Sequence, residues 1–107
     1  MKRFDTRYVT LHFPLLHIDI GEREQYDKVV EEYNEFRFEL FSESSPERVL
    51  HELQDLVQAT LSWVYVLTKT TALDDKEADD KVRAFIEQEN QNHRKKIARY
   101  MAERGWE

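Results

Sequence analysis

The sequence predicts an all-α fold: a helical hairpin, then a third long helix, with an extended arm in front. Three observations carry that expectation. Only two glycines and two prolines interrupt 107 residues. The stretches between them are rich in Glu, Lys, Gln, Arg and Leu, which lose little rotamer freedom in a helix. Apolar residues recur at spacings of three and four over long runs, the helical period. One tight-turn signal, Ser42-Glu43-Ser44-Ser45-Pro46, separates two of those runs.

The elements follow in chain order. Residues 1–21 form the arm: Phe4, Tyr8, Val9, Leu11, Phe13, Leu15, Leu16, Ile18 and Ile20 are apolar, and Pro14 breaks any long helix or central strand. The arm is expected to pack across helices, its own or those of a partner subunit. Residues 22–107 form the helical part of what is one domain overall. The first helix spans about Glu22 to Phe41, with Tyr26, Val29, Val30, Tyr33, Phe36 (or Arg37) and Leu40 as its apolar stripe. The second starts after Ser45, an N-cap residue, with Pro46 at the first helical position. Val49, Leu50, Leu53, Leu56, Val57, Leu61, Val64 and Leu67 carry it to Thr68. Leu61 to Leu67 is apolar nearly all round, as suits a central helix. A polar linker follows, then a third helix from Asp75 or Lys76 to Glu103. Val82, Phe85, Ile86, Ile97, Tyr100 and Met101 mark its buried side, and Gly105 its stop.

Composition narrows the function classes. An apolar fraction of 40% over 107 residues supports one small core. Two Trp, five Tyr and six Phe are generous for that size. Trp63, Tyr65, Phe36, Phe38 and Phe41 crowd the hairpin, more than a hairpin and one further helix can bury, so a second subunit is expected to cover some of them. The absence of cysteine excludes disulfide and thiolate chemistry and suits a reducing, cytoplasmic setting. No apolar run approaches the ~20 residues of a membrane span and no leader pattern is visible, so no membrane partner is expected. A net charge of −6 argues against a nucleic-acid polymer as partner, while a small phosphorylated ligand carried with a cation fits.

Two acidic clusters flank the turn. Counting from Ser44, Glu35 lies nine residues before and Glu52 eight after; Glu32 lies twelve before and Asp55 eleven after. Each pair is spaced i, i+3, so it shares a helix face. At about 1.5 Å rise per residue, the two pairs reach nearly the same height in an antiparallel hairpin. Four converging carboxylates repel one another unless a cation sits among them. All-oxygen ligation by Glu32, Glu35, Glu52 and Asp55 suits Mg²⁺, with Mn²⁺ a common substitute. Glu31, one residue off the Glu32–Glu35 axis, has a weaker claim as a general base. The competing reading is a set of solvated surface acids.

A second set, Asn92, Lys96 and Arg99, spaced i, i+4 and i+7, offers one amide and two cations to a polyphosphate. The competing reading is that these cations complement the C-terminal end of a helix dipole. His51-Glu52-Leu53-Gln54-Asp55 has the start of a zinc-protease helix but an aspartate where the second histidine belongs. No Glu-x-x-His pair of a di-iron bundle and no glycine-rich phosphate loop is present.

Glu31-Glu32-Tyr33-Asn34-Glu35 followed by Glu52-Leu53-Gln54-Asp55 resembles the E-E-x-x-E … E-x-x-D signature of the MazG-like nucleotide pyrophosphohydrolases, in the all-α NTP pyrophosphatase superfamily. Asp55-Leu56-Val57-Gln58, His93-Arg94-Lys95-Lys96-Ile97-Ala98-Arg99 and Arg104-Gly105-Trp106 extend the resemblance to a small phage- and Firmicute-type subgroup, over roughly residues 10 to 106. The short opening and His51 depart from the pattern. The resemblance implies Mg²⁺-dependent hydrolysis of a nucleoside triphosphate, NTP or dNTP, to the monophosphate and pyrophosphate. It implies Glu32, Glu35, Glu52 and Asp55 as metal ligands, Glu31 and Glu35 in catalytic roles, and Asn92, Lys96 and Arg99 on the substrate. It also implies a homodimer or homotetramer whose chains together complete a four-helix bundle. Trp63, Tyr65, Phe38 and Trp106 are candidates for an apolar base slot. The alternative is a non-catalytic helical module that binds a nucleotide or a protein.

Overall fold

The computed structural model describes residues 7–105. Three helices make up the regular structure: α1 (Glu22–Phe41), α2 (Pro46–Lys69) and α3 (Asp75–Arg104). Residues 7–20 run without helix or strand, as expected of an arm. Among the described residues no helix is long and apolar enough to cross a membrane. Trp106 lies outside the described residues.

Local chemistry sets each helix limit. Gly21 is the N-cap of α1 in extended conformation, and its carbonyl accepts from the Gln25 N–H at 3.0 Å. The turn closes when the Ser42 hydroxyl donates to the Phe38 carbonyl at 2.7 Å. Glu43 takes the left-handed φ of +51° that a tight reversal demands. Ser45 caps α2, its Oγ accepting from the Arg48 N–H at 3.3 Å, with Pro46 at the first position, where an N–H is not needed. Asp74 caps α3, its Oδ1 accepting from the Glu77 N–H at 2.8 Å. Gly105, at φ +67°, ends α3 and donates to the Ala102 carbonyl at 3.2 Å.

The chain divides into two compact units. The first comprises Phe13–Val82: part of the arm, the α1–α2 hairpin and the start of α3. Its core is Tyr65, Ala78 and Val82, all fully buried, with Leu15, Leu61, Val64 and Ala72 packed against them. The Tyr65 hydroxyl donates to Asp75 Oδ1 at 2.6 Å, and His17 stacks on the Tyr65 ring at 5.1 Å while its Nε2 meets Asp79 Oδ2 at 2.7 Å. The Gln58 amide donates to the Pro14 carbonyl at 3.0 Å. These contacts fasten residues 13–17 to the helices.

The second unit comprises residues 7–12 and the α3 segment from Arg83 onward, within the described range. That part of α3 is almost wholly exposed. Arg94 lies over the Tyr8 ring at 4.9 Å, and Arg104 over Tyr100 at 4.4 Å.

The face that α1 turns to α2 takes in only Val29 and Phe36 of the apolar stripe read in the sequence. Its buried residues are Gln25, Glu32 and Glu39, with Val29 and Phe36 half-buried between them, at spacings of four and three. Specific polar contacts decide this. The Gln25 amide donates to the Ala59 carbonyl at 3.0 Å. At the other end Glu39 accepts from the Ser44 hydroxyl and, at 3.2 Å, from Arg48. Tyr26, Val30, Tyr33 and Leu40 stay 39–54% exposed.

Candidate metal centre

The two polar clamps at the ends of the hairpin, Gln25–Ala59 and Glu39–Arg48, fix its register and place Glu32 and Glu35 of α1 beside Glu52 of α2. One carboxylate oxygen from each of these three lies within 4.8 Å of the other two. Glu32 is buried, Glu52 half-buried and Glu35 exposed. The approach is unfavourable for bare carboxylates, and two consequences are visible. Glu32 Oε2 and Glu52 Oε2 are each buried with no hydrogen-bond partner among the described residues. Glu35 has its carboxyl pushed above the ordinary carboxylate range, first by the charge of Glu32, then by desolvation, contact with Glu32 and the charge of Glu52. Carboxylate oxygens facing one another need a proton or a cation between them.

Lys28, one turn before Glu32, supplies part of that positive charge. Its Nζ lies 3.0 Å from Glu32 Oε1 and 3.7 Å from Glu31 Oε1. Its pKa is raised, first by the hydrogen bond to Glu32. Sequence reasoning did not single out Lys28; the signal is its i, i+4 spacing to Glu32. Glu39, one turn beyond Glu35 on α1, serves the turn. Its carboxyl is held low, first by the Ser44 hydroxyl and then by Arg48.

Asp55 joins a neighbouring group with His51 and Glu52, again with ligand atoms within 4.8 Å. His51 Nε2 lies 3.4 Å from Asp55 Oδ2. Glu52 belongs to both groups. Glu31 lines the same cleft as Glu35, a cavity of about 360 Å³ bordered also by Asn34, Phe38, Glu39 and Glu52.

Asn92, Lys96 and Arg99 lie on the exposed part of α3, in the other unit. Asn92 is engaged by its own helix, accepting from Gln88 and donating to Glu89, each at 3.2 Å. Of the aromatic candidates, Tyr65 is fully buried in the core with its hydroxyl on Asp75, which removes it from any base slot. Burial, then the bond to Asp75, pushes that hydroxyl up to about 12. Trp63 packs at a tilt against Tyr26, centroids 6.2 Å apart. Phe38 is 69% exposed at the rim of the acidic cleft.

The donor set fits a hard divalent cation: oxygen ligands from two helices, two of them buried without a donor, and a net negative charge to neutralise. Comparison of the chain with protein-family models, with curated proteins and with solved structures returns no match.

Proposed function

We propose that the chain is a Mg²⁺-dependent nucleoside triphosphate pyrophosphohydrolase of the MazG-like kind. The observation that carries this reading is the cluster of Glu32, Glu35 and Glu52, with the two donorless buried oxygens of Glu32 and Glu52. Glu32, Glu35 and Glu52 hold the cation in this reading, and Asp55 adds a carboxylate one turn further along α2. When bound, Mg²⁺ supplies Lewis-acid polarisation of the phosphate and offsets its charge; Mn²⁺ substitutes.

The chain's own groups do the rest. Water attacks the α-phosphorus, the bridging bond to the β-phosphate breaks, and pyrophosphate leaves with the electron pair. The proton lost by the water passes to Glu35 or Glu31. Both carboxylates line the acidic cleft. Asn92, Lys96 and Arg99 are the proposed phosphate-binding set: the two cations meet oxygens that gain charge, and the Asn92 amide joins them by exchanging its bonds to Gln88 and Glu89. A homodimer or homotetramer is part of the proposal. It rests on the exposed apolar residues Val30, Tyr33 and Leu40 of α1, beside Tyr26, whose ring also reaches Trp63 of α2.

Phosphorus NMR of the products from a panel of NTPs and dNTPs tests the reading. The expected products are the monophosphate and pyrophosphate, lost with chelator and in Glu35→Ala and Asp55→Ala. Orthophosphate as the sole phosphate product contradicts it. Mg²⁺-dependent nucleotide binding without turnover assigns the chain instead to the non-catalytic module.

A further inference from the structure

The acidic cleft has one wall that the cation chemistry does not use. Asn34 and Phe38 sit at i, i+4 on α1, so they share a face and neighbour each other. Both line the cleft that holds Glu31, Glu35 and Glu52. A phenyl ring left 69% exposed beside converging carboxylates is an expensive arrangement in water. The ring stacks on no aromatic among the described residues, and the Asn34 amide makes no hydrogen bond among them. Glu35 and Phe38 are three residues apart, so their backbone positions are separated by about 4.5 Å along the helix axis. A pentose bridges such a span between a phosphate and a planar ring.

We infer that Phe38 and Asn34 form the base-recognition ledge of this site, Phe38 stacking on the flat face of a nucleobase and Asn34 reading its edge. The inference rests on the pyrophosphohydrolase reading and adds its specificity determinants. Phe38 supplies affinity for any base, because every base has a π-face. Asn34 supplies discrimination, because one amide presents a donor and an acceptor to the base edge. Neither residue touches the reacting phosphorus, so both act on substrate binding and choice rather than on the chemical step.

Calorimetry separates this inference from the reading beneath it. The probes are α,β-imido analogues of the four deoxynucleoside triphosphates and inorganic tripolyphosphate, each with Mg²⁺, titrated into the full chain. Tripolyphosphate has the phosphates without the base. The expected result is that Phe38→Ala weakens the analogues by about ten- to hundredfold, the range of base–aromatic stacking. Tripolyphosphate binding stays within about twofold, on the premise that stacking involves the base alone. Phe38→Trp retains analogue binding, and Asn34→Ala flattens the ranking of the four bases. Phe38 is exposed, so folding is not at stake. If Phe38→Ala weakens both probe types equally, or neither, the ledge is wrong while the cation site stands. If it changes only the oligomeric mass, Phe38 belongs to a subunit interface and the ledge is equally wrong. If the wild-type chain binds none of the probes, the underlying reading falls and the inference with it.

Discussion

Lys28 Nζ lies 3.0 Å from Glu32 Oε1, while Oε2 of the same carboxylate is buried with no hydrogen-bond partner among the described residues. One oxygen is thus neutralised from within the chain and the other is left for something else. Lys28 occupies charge space that a divalent cation also needs. Lys28→Met is therefore expected to bind Mn²⁺ more tightly than the wild type, by about two- to fivefold, the scale of a half-exposed ion pair. Calorimetric titration at low ionic strength reads the change. Unchanged or weaker binding shows that Lys28 and the cation do not compete.

Glu35 makes the metal-free chain sensitive to pH in a defined direction. Its carboxyl is held above the ordinary value, first by Glu32. The folded chain then carries more protons than the unfolded chain in a window that opens near the ordinary Glu value, about 4.3, and closes at the raised one. Stability falls as pH rises through that window. Glu39 and Asp75 act in the opposite sense. The Ser44 hydroxyl and then Arg48 hold Glu39 low; the Tyr65 hydroxyl and then Lys69 hold Asp75 low. Their contributions are complete above the ordinary carboxylate value and are lost as pH falls through the lowered ones. Comparison with Glu35→Gln isolates the Glu35 component. With chelator present, the variant is expected to melt higher than the wild type at pH 7 and equally near pH 4. Added Mg²⁺ raises the wild-type melting temperature at pH 7 more than that of the variant.

Tyr65 joins the core to the start of α3 through its 2.6 Å hydrogen bond to Asp75. Lys69 stays 3.4 Å from Asp75, so removing the hydroxyl leaves that carboxylate one partner. Tyr65→Phe is expected to cost about 1–2 kcal/mol in urea unfolding, between an ordinary hydrogen bond and one to a fully buried charge, because the Asp75 end is half-exposed. A loss below about 0.5 kcal/mol indicates that water replaces the tyrosine hydroxyl.

The exposed row on α1 predicts self-association. Tyr33 is 50% exposed at its centre. Tyr33→Glu places a charge in the middle of the proposed interface and is expected to convert a dimer or tetramer to monomer, read by light scattering at micromolar concentration. A wild-type chain that is already monomeric refutes the subunit interface.

The helix limits are legible in the sequence because their causes are local. Ser45-Pro46 before α2, Asp74 before α3 and Gly105 after it each act within a few residues. The gathering of Glu32, Glu35 and Glu52 is legible because counting outward from one turn fixes the register of an antiparallel pair. The inward face of α1 is legible only in part. The apolar stripe includes Val29 and Phe36, which are half-buried on that face, but also Tyr26, Val30, Tyr33 and Leu40, which stay exposed. Gln25 and Glu39 are buried by partners on α2 and the turn that no period encodes. The grouping of Asp55 with His51 follows from their i, i+4 spacing on α2, a signal that the likeness to a zinc-protease helix passes over. Lys28 was hidden because i, i+4 ion pairs are common on solvated helices.

The central claim is that one divalent cation joins α1 to α2 through Glu32 and Glu52. Calorimetric titration of the metal-free chain with Mn²⁺, repeated on Glu32→Gln and Glu52→Gln, tests it most directly. The account predicts saturable binding to the wild type and at least about tenfold weaker binding to each variant, a loss of about 1.4 kcal/mol or more. Equal affinity in all three chains, or no binding to the wild type, contradicts it.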